Sequence, residues 1–312
     1  MKGLTDIPGI LVGHASDYDA GTGCTAILCE AGAVAGGDIR GSATGTEEFL
    51  IFEPDHVVER IHAVVLAGGS AFGLEAASGV RRYLERRGIG FETRAARVPI
   101  VPCAILYDLA YGKGDVRPTR EMGEAAAASA TDGPVAEGSV GAGTGATVGK
   151  VFGMAQAMKS GIGSATVELA GDLTGVLVSA LAVVNAFGDI IDPASGRILA
   201  GARRAPDSLE FADTARVLME GRRIGFGPQN TTLVVVATNA RLDKVQARKL
   251  ARQAQLGMAR TIRPVNTTVD GDLTIALSLG EAQADLNALG IAAADAVAAS
   301  ILRAVAPRPA GR

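Results

Sequence analysis

Residues 230–239 read Asn230-Thr231-Thr232-Leu233-Val234-Val235-Val236-Ala237-Thr238-Asn239. After its first three residues this run is apolar at every position up to Thr238. A strand half-covered by a core alternates, whereas one apolar on both faces is covered on both, as in a sheet held between two layers. Asn230 is a turn former and the threonines are strand formers, so the opening tripeptide by itself marks a strand start. A threonine at the head of a buried strand has a second use. Its hydroxyl can attack the preceding carbonyl, shift the acyl group from nitrogen to oxygen, and leave an ester for water to cut. The product is an amino-terminal threonine whose own α-amine, with a reference pKa of about 7.7–8.0, serves as base for its Oγ. The tripeptide recurs as Asn266-Thr267-Thr268. Both copies fit a glycosylation sequon, a reading that requires a secretory signal.

Outward from this run, short β-like segments lie at Ile10–Val12, Ala26–Cys29, Ala63–Ala67, Gly175–Val184 and Leu273–Leu279. Helical periodicity is clearest in four places. Residues 72–87 put Ala77, Val80 and Leu84 on one face and end at Arg86-Arg87-Gly88, where basic residues and glycine suit a helix C-terminus. Residues 119–130 are alanine-rich. Residues 243–260 start at Asp243, a good N-cap, and align Ala247, Leu250, Ala251, Ala254 and Met258. Residues 286–305 align Ile291, Ala294, Ala298, Ile301 and Val305 ahead of Pro307 and Pro309. Lys244, Arg248, Lys249 and Arg252 are expected to form a solvated face. Strands and helices mix without strict alternation, which points to α+β layering. No linker or charge block divides the chain, so residues 1–312 are expected to form a single domain.

Composition narrows the function. The chain has 30 Lys+Arg against 33 Asp+Glu and 4 % aromatics, which argues against nucleic acid as a partner. Glycine accounts for 41 of 312 residues, roughly twice the ~7 % average. The uncharged run Leu173–Gly188 is interrupted by Gly175, Ser179 and Asn185 and falls short of the ~20 apolar residues of a membrane span. Met1–Ser16 has no sustained apolar block, so no signal peptide is expected and the protein is expected in the cytoplasm. Cys24, Cys29 and Cys103 lack metal-like spacing and are expected as reduced thiols; no metal or cofactor is expected.

Three motifs have ordinary readings. Gly141–Ala146 fits G-x-G-x-x-A but follows the loop Thr131–Gly138, whereas a dinucleotide fingerprint follows a buried strand. Gly149-Lys150-Val151 resembles the tail of a P-loop, yet Thr144 replaces its first glycine and Val151 its hydroxyl. Gly68-Gly69-Ser70-Ala71-Phe72 resembles a nucleophile elbow without its second glycine, and His14, His56 and His62 all precede the serine. A glycine-rich turn packing a helix onto a strand accounts for it.

Taken together, Gly9–His14, Ala63–Ala76, Ala104–Asp108, Gly138–Ala146 with Gly149-Lys150, Ala182–Asn185, Asn230–Asn239 and Asp270-Gly271-Asp272 resemble the L-aminopeptidase/D-amidase-esterase (DmpA-type) family. These are self-processing N-terminal-nucleophile hydrolases that include β-peptidyl aminopeptidases and the nylon-oligomer endo-hydrolase. The resemblance implies an αββα four-layer sandwich of the type shared with ornithine acetyltransferases. It implies autocleavage between Asn230 and Thr231, giving chains of 230 and 82 residues from 312. Thr231 then leads an apolar strand that can hold it rigidly, while Thr267 leads into the turn Val269-Asp270-Gly271.

The other roles follow motif by motif. Asp270 and Asp272 resemble the acidic pair beside the nucleophile, one of them accepting a hydrogen bond from the new ammonium or from Thr267. Two close carboxylates push their protonation apart. Lys150 would lower the cost of ionising the nucleophile or its acidic partners, Asn185 would donate to the oxyanion, and Tyr107 and Thr267 would bind substrate. The Asp-Gly-Asp loop is closer to the nylon-oligomer branch than to the aminopeptidases. The implied reaction is hydrolysis of small peptides or ω-amino-acid amides by a homo-oligomer of cleaved heterodimers. Two alternatives are acyl transfer to an amine, as in ornithine acetyltransferases, and non-catalytic binding of a nucleotide or metabolite at Gly141–Ala146.

Overall fold

A computed structural model describes residues 1–223 and 230–306. Nine strands form one sheet: β1 (Leu11–Asp17), β2 (Thr22–Ile39), β3 (Gly45–Glu47), β4 (Arg60–Ala67), β5 (Cys103–Ile105), β6 (Ile162–Glu168), β7 (Leu177–Asn185), β8 (Thr231–Ala240) and β9 (Leu273–Ala282). Their order is β6-β7-β8-β9-β2-β4-β5-β3, with β1 also paired to β2. All neighbours are antiparallel except β8 with β9 and β4 with β5. The hinge of the sheet is β2, 18 residues long. Its first part pairs with β1 and β4, its register shifts between Leu28 and Ala33, and its last part pairs with β9.

Core composition shows how this sheet makes two layers. Leu181, Val183, Leu233, Val235, Ile275 and Leu277 share one cluster with Ile27, Val64 and Leu66, so both halves of the sheet face the same interior. Alternate residues, Ala180, Ala182, Val234, Val236 and Ala276, face outward into a second cluster beneath α4 (Lys244–Thr261) and α5 (Leu286–Ala304). On the other half, Ala26, Ala63, Val65 and Cys103 face a third cluster beneath α1 (Glu75–Arg86) and α2 (Arg120–Ala128). Helices, sheet half, sheet half and helices give an αββα sandwich. The doubly apolar run after Thr232 follows from this layering. Each fully buried Leu or Val contributes about 1.5–3 kcal/mol.

Helix starts follow their caps. Asp243 accepts from Gln246 N while the Gln246 side chain returns to Asp243 N. Asp285 caps α5 and Thr119 caps α2. The segment expected to be helical from residue 72 begins as a 3-10 turn, Ser70–Leu74, before α1. A short helix, α3 (Thr214–Met219), has too little periodicity to read from sequence. Two side-chain expectations change. Lys244 is buried, its ammonium donating to the carbonyls of His56 and Val58. Ile291, aligned with the core face of α5, is 64 % exposed, whereas Ala294, Ala298 and Ile301 of the same alignment are buried along with Leu289, Ala293 and Val297. Alanines surround this helix, so its period does not select a face. By length and composition α5 could cross a membrane, but it packs against β6, β7 and α4. Pro307 and Pro309 lie outside the described residues.

Glycine makes the helix crossings close. A Cβ on Gly79 would lie 1.8 Å from Arg120 O, and one on Gly123 would lie 1.9 Å from Ala76 O. Helices α1 and α2 therefore touch backbone to backbone.

Candidate active site

Thr231 opens β8 opposite Asn185, the last residue of β7. On its other side β8 runs parallel to β9, with Leu233 opposite Leu273, and an isolated bridge pairs Asn230 with Asp270 in the same register. Between these points the ladder opens. Thr232 N donates to the Asp272 carboxylate (Oδ1, 2.6 Å), which stands where a strand carbonyl would. The opening frames the Thr231 hydroxyl, which donates to Asn230 O at 2.5 Å. The same carbonyl oxygen accepts from Gly271 N at 2.7 Å, and Asn230 N donates to Val269 O at 3.0 Å. Thr231 is 2 % exposed and Asn230 is fully buried.

The acidic pair is held by amides. Asp270 accepts from Phe187 N (3.1 Å), Thr267 N (3.1 Å) and Thr267 Oγ1 (2.5 Å). Asp272 accepts from Thr232 N through one oxygen and from Asn266 N (2.9 Å) through the other. Burial pushes both carboxyls above the usual carboxylate range, and the charge of Asp270 adds to the rise at Asp272. Lys150 faces them. Its ammonium donates to Asn185 Oδ1 (2.7 Å) and Asn185 O (2.9 Å). Burial brings its pKa down to about 7 against the opposing pull of Asp270, Asp108 and Asp272. Burial thus opposes the charged form of all three groups.

Asn185 is engaged on both ends of its amide. Oδ1 accepts from Lys150 and from Thr147 N (3.1 Å), and Nδ2 donates to Tyr107 O (2.9 Å). In the uncut chain its visible work is to orient Lys150 and to anchor the segment at Tyr107. Tyr107, Asp108, Tyr111, Thr147, Lys150 and Met154 line a narrow crevice beside the lysine. A larger groove of about 600 Å³ lies by Arg241, Asp243 and Glu281 at the opposite end of β8. Ten residues of strand put it about 30 Å from Thr231, too far to serve that hydroxyl.

Sequence reasoning missed Asp108. Its Oδ2 accepts from Thr22 Oγ1 (2.7 Å) and its Oδ1 from Gly69 N (2.7 Å). A Cβ on Gly68 would lie 2.0 Å from Asp108 Oδ2. The Gly68-Gly69 turn therefore wraps a buried carboxylate rather than presenting Ser70. Beyond it, the Lys159 ammonium donates to the carbonyls of Gly143, Ala146 and Ser160. In the glycine-rich loop, Gly141 N donates to Ser16 Oγ and Ala142 N to Thr25 Oγ1, so these amides serve the protein's own hydroxyls. His14 bonds the same Thr25 hydroxyl (2.9 Å), and burial drops its pKa to about 4. The signal for Asp108 lay in Tyr107-Asp108 closing an apolar run near two glycines.

Comparison with known proteins bears on this constellation. A model described as peptidase family S58 matches residues 2–308. An uncharacterized aminopeptidase of Mycobacterium tuberculosis is 39 % identical over 98 % of this chain and 94 % of its own length. A 6-aminohexanoate-oligomer endohydrolase of Kocuria sp. is 34 % identical over 88 % of this chain and 74 % of its own. Among solved structures, the L-aminopeptidase D-Ala-esterase/amidase of Ochrobactrum anthropi, described as a variant of the Ntn hydrolase fold, superposes with a TM-score of 0.70. It does so at 20 % identity, covering 97 % of this chain and 85 % of that one.

Proposed function

The chain belongs to peptidase family S58, hydrolases of peptide and amide bonds, and we propose that Thr231 is its nucleophile, uncovered by self-cleavage after Asn230. The observation that carries this is the placement of the Thr231 hydroxyl on the carbonyl of its own scissile peptide, inside a gap in the β8–β9 ladder. The oxygen attacks the Asn230 carbonyl carbon and its proton passes to a base. The C–N bond then breaks as the nitrogen of Thr231 takes up a proton, leaving an ester. Water adds to that ester, giving Asn230 a carboxylate and Thr231 back its hydroxyl.

The freed α-amine then serves as base for Thr231 Oγ, which attacks the carbonyl of an amide substrate; the C–N bond breaks, the amine leaves with the proton, and water hydrolyses the acyl ester left on Thr231. Asp270 and Asp272 hold Thr267 and the strand around the nucleophile, Lys150 balances their charge, and Asn185 holds Lys150. Freed from Tyr107 O, Asn185 Nδ2 is available to the oxyanion of a substrate. Because Thr231 is almost fully covered before cleavage, the uncut chain is the inactive form.

Small peptides and ω-amino-acid amides are the proposed substrate class, a reading supported by relatives named aminopeptidase and 6-aminohexanoate-oligomer endohydrolase. The working unit we take to be a homo-oligomer of cleaved heterodimers, in the cytoplasm. The test is intact mass with a panel of peptide and 6-aminohexanoate amides, alongside acetyl-ornithine with glutamate as acceptor. Wild type should split into 230- and 82-residue chains and hydrolyse members of the panel. Thr231→Ala should stay whole and turn over nothing. Turnover by the whole Thr231→Ala chain rules out this nucleophile, and acetyl transfer outpacing hydrolysis rules out a hydrolase of small amides.

A further inference from the structure

The scissile carbonyl has a donor that no side chain provides. Asn230 O accepts from Thr231 Oγ1 and from the backbone N–H of Gly271 at 2.7 Å. As the hydroxyl attacks, it gives up its proton and becomes the new covalent substituent, so its hydrogen bond to that oxygen disappears. The Gly271 N–H remains, aimed at the oxygen on which negative charge develops.

We infer that the backbone N–H of Gly271 is the oxyanion donor for scission of the Asn230–Thr231 bond, an assignment that rests on Thr231 being the self-cleaving nucleophile. Asn185, the side chain expected in such a role, is turned away from this carbonyl in the uncut chain, with Nδ2 on Tyr107 O. The donor itself is held rigidly. Ala43 N donates to Asp270 O (2.8 Å), and Arg40 N and Gly41 N donate to Asp272 O (both 3.0 Å), clamping the residues on either side of Gly271. Asn230 itself is held by the bond from its backbone N to Val269 O. Donor and acceptor therefore meet without reorganisation, the condition under which an oxyanion contact contributes most.

Residue 271 is also confined to glycine. A Cβ there would lie 2.8 Å from Thr231 Oγ1 and 2.7 Å from Ala43 O. Any side chain would displace the attacking hydroxyl or the clamp, so the donor is supplied by the one residue that leaves the nucleophile room. Charge balances in each step. The carbonyl π electrons move onto oxygen as the Oγ–C bond forms, and they return as the C–N bond breaks and the amine takes a proton.

The test removes the N–H; the ester also weakens the Asp270 carbonyl as acceptor of Ala43 N, a loss the control chain reproduces. Full-length chain is made by cell-free translation with glycolic acid at position 271, which replaces the amide N–H by an ester oxygen. A control chain carries lactic acid at position 43, losing the Ala43 N–H to Asp270 O from the same clamp. First-order splitting of each fresh chain is followed by intact mass, which separates scission at 230/231 from ester hydrolysis at 270/271. The glycolate chain should split about 10²–10³-fold more slowly than wild type, and the lactate chain within about tenfold. Splitting of the glycolate chain within threefold of wild type overturns the assignment and leaves the nucleophile untouched. Equal slowing of both chains also overturns it, because a general loosening of the clamp then explains the effect. A wild-type chain that never splits removes the nucleophile and this assignment together.

Discussion

Burial sets the chemistry of Lys150, whose ammonium donates to Asn185 and whose pKa falls to about 7. In the unfolded chain the same amine titrates near 10.4. Below pH 7 both states hold the proton and the lysine adds no pH dependence. Between about 7 and 10 the unfolded state binds more protons than the folded one, so stability rises with pH through that window. Urea unfolding of Thr231→Ala, which keeps the chain whole, should therefore gain on Thr231→Ala/Lys150→Met by up to ~1.4 kcal/mol per pH unit from pH 7 to 10. Parallel curves for the two chains would mean an ordinary lysine.

At this scale the sequence singled out Thr231, Asp270, Asp272, Lys150 and Asn185, which the structure brings together, because each sits in a short motif. It did not expose Asp108 or Gly271. The partners of Asp108 lie 39 and 86 residues away, and a backbone N–H leaves no mark on composition.

Elements were more legible than faces. The four long helices and six principal strands fall where periodicity and caps put them, since Asp243, Asp285 and Thr119 act locally. The inward face of α5 was misread at Ile291 because alanine on every side carries little contrast, and the basic face of α4 was misread at Lys244 because its aliphatic stem lets a buried ammonium reach two carbonyls. High glycine content, unexplained by composition alone, is the means of close helix contact. Gly123→Ala should lower stability by roughly 1–3 kcal/mol, since its Cβ would press on Ala76 O. Thermal denaturation measures it, and an unchanged midpoint would show that α1 and α2 can separate without cost.

Across the whole molecule, the proposed cut divides the sheet in an unusual place. Strands β8 and β9 belong to the shorter chain yet lie between β7 and β2 of the longer one. Their inward side chains Leu233, Val235, Ile275 and Leu277 complete the central core. After cleavage the two chains should stay together through gel filtration and separate only in denaturant. Residues 1–230 expressed alone should lack a cooperative unfolding transition; a folded, monomeric 1–230 fragment would show that the centre of the sheet is dispensable. The sandwich was legible in the doubly apolar run after Thr232. That its two β layers are one sheet folded at β2 was not, because the register shift after Leu28 has no sequence signature of its own.

The most direct measurement follows freshly purified wild-type chain over time, reading the split fraction by intact mass and amide hydrolysis on the same aliquots. The rate should rise in proportion to the split fraction from zero, with Thr231 as the first residue of the shorter chain. Full turnover by an unsplit 31.6 kDa chain would contradict the account.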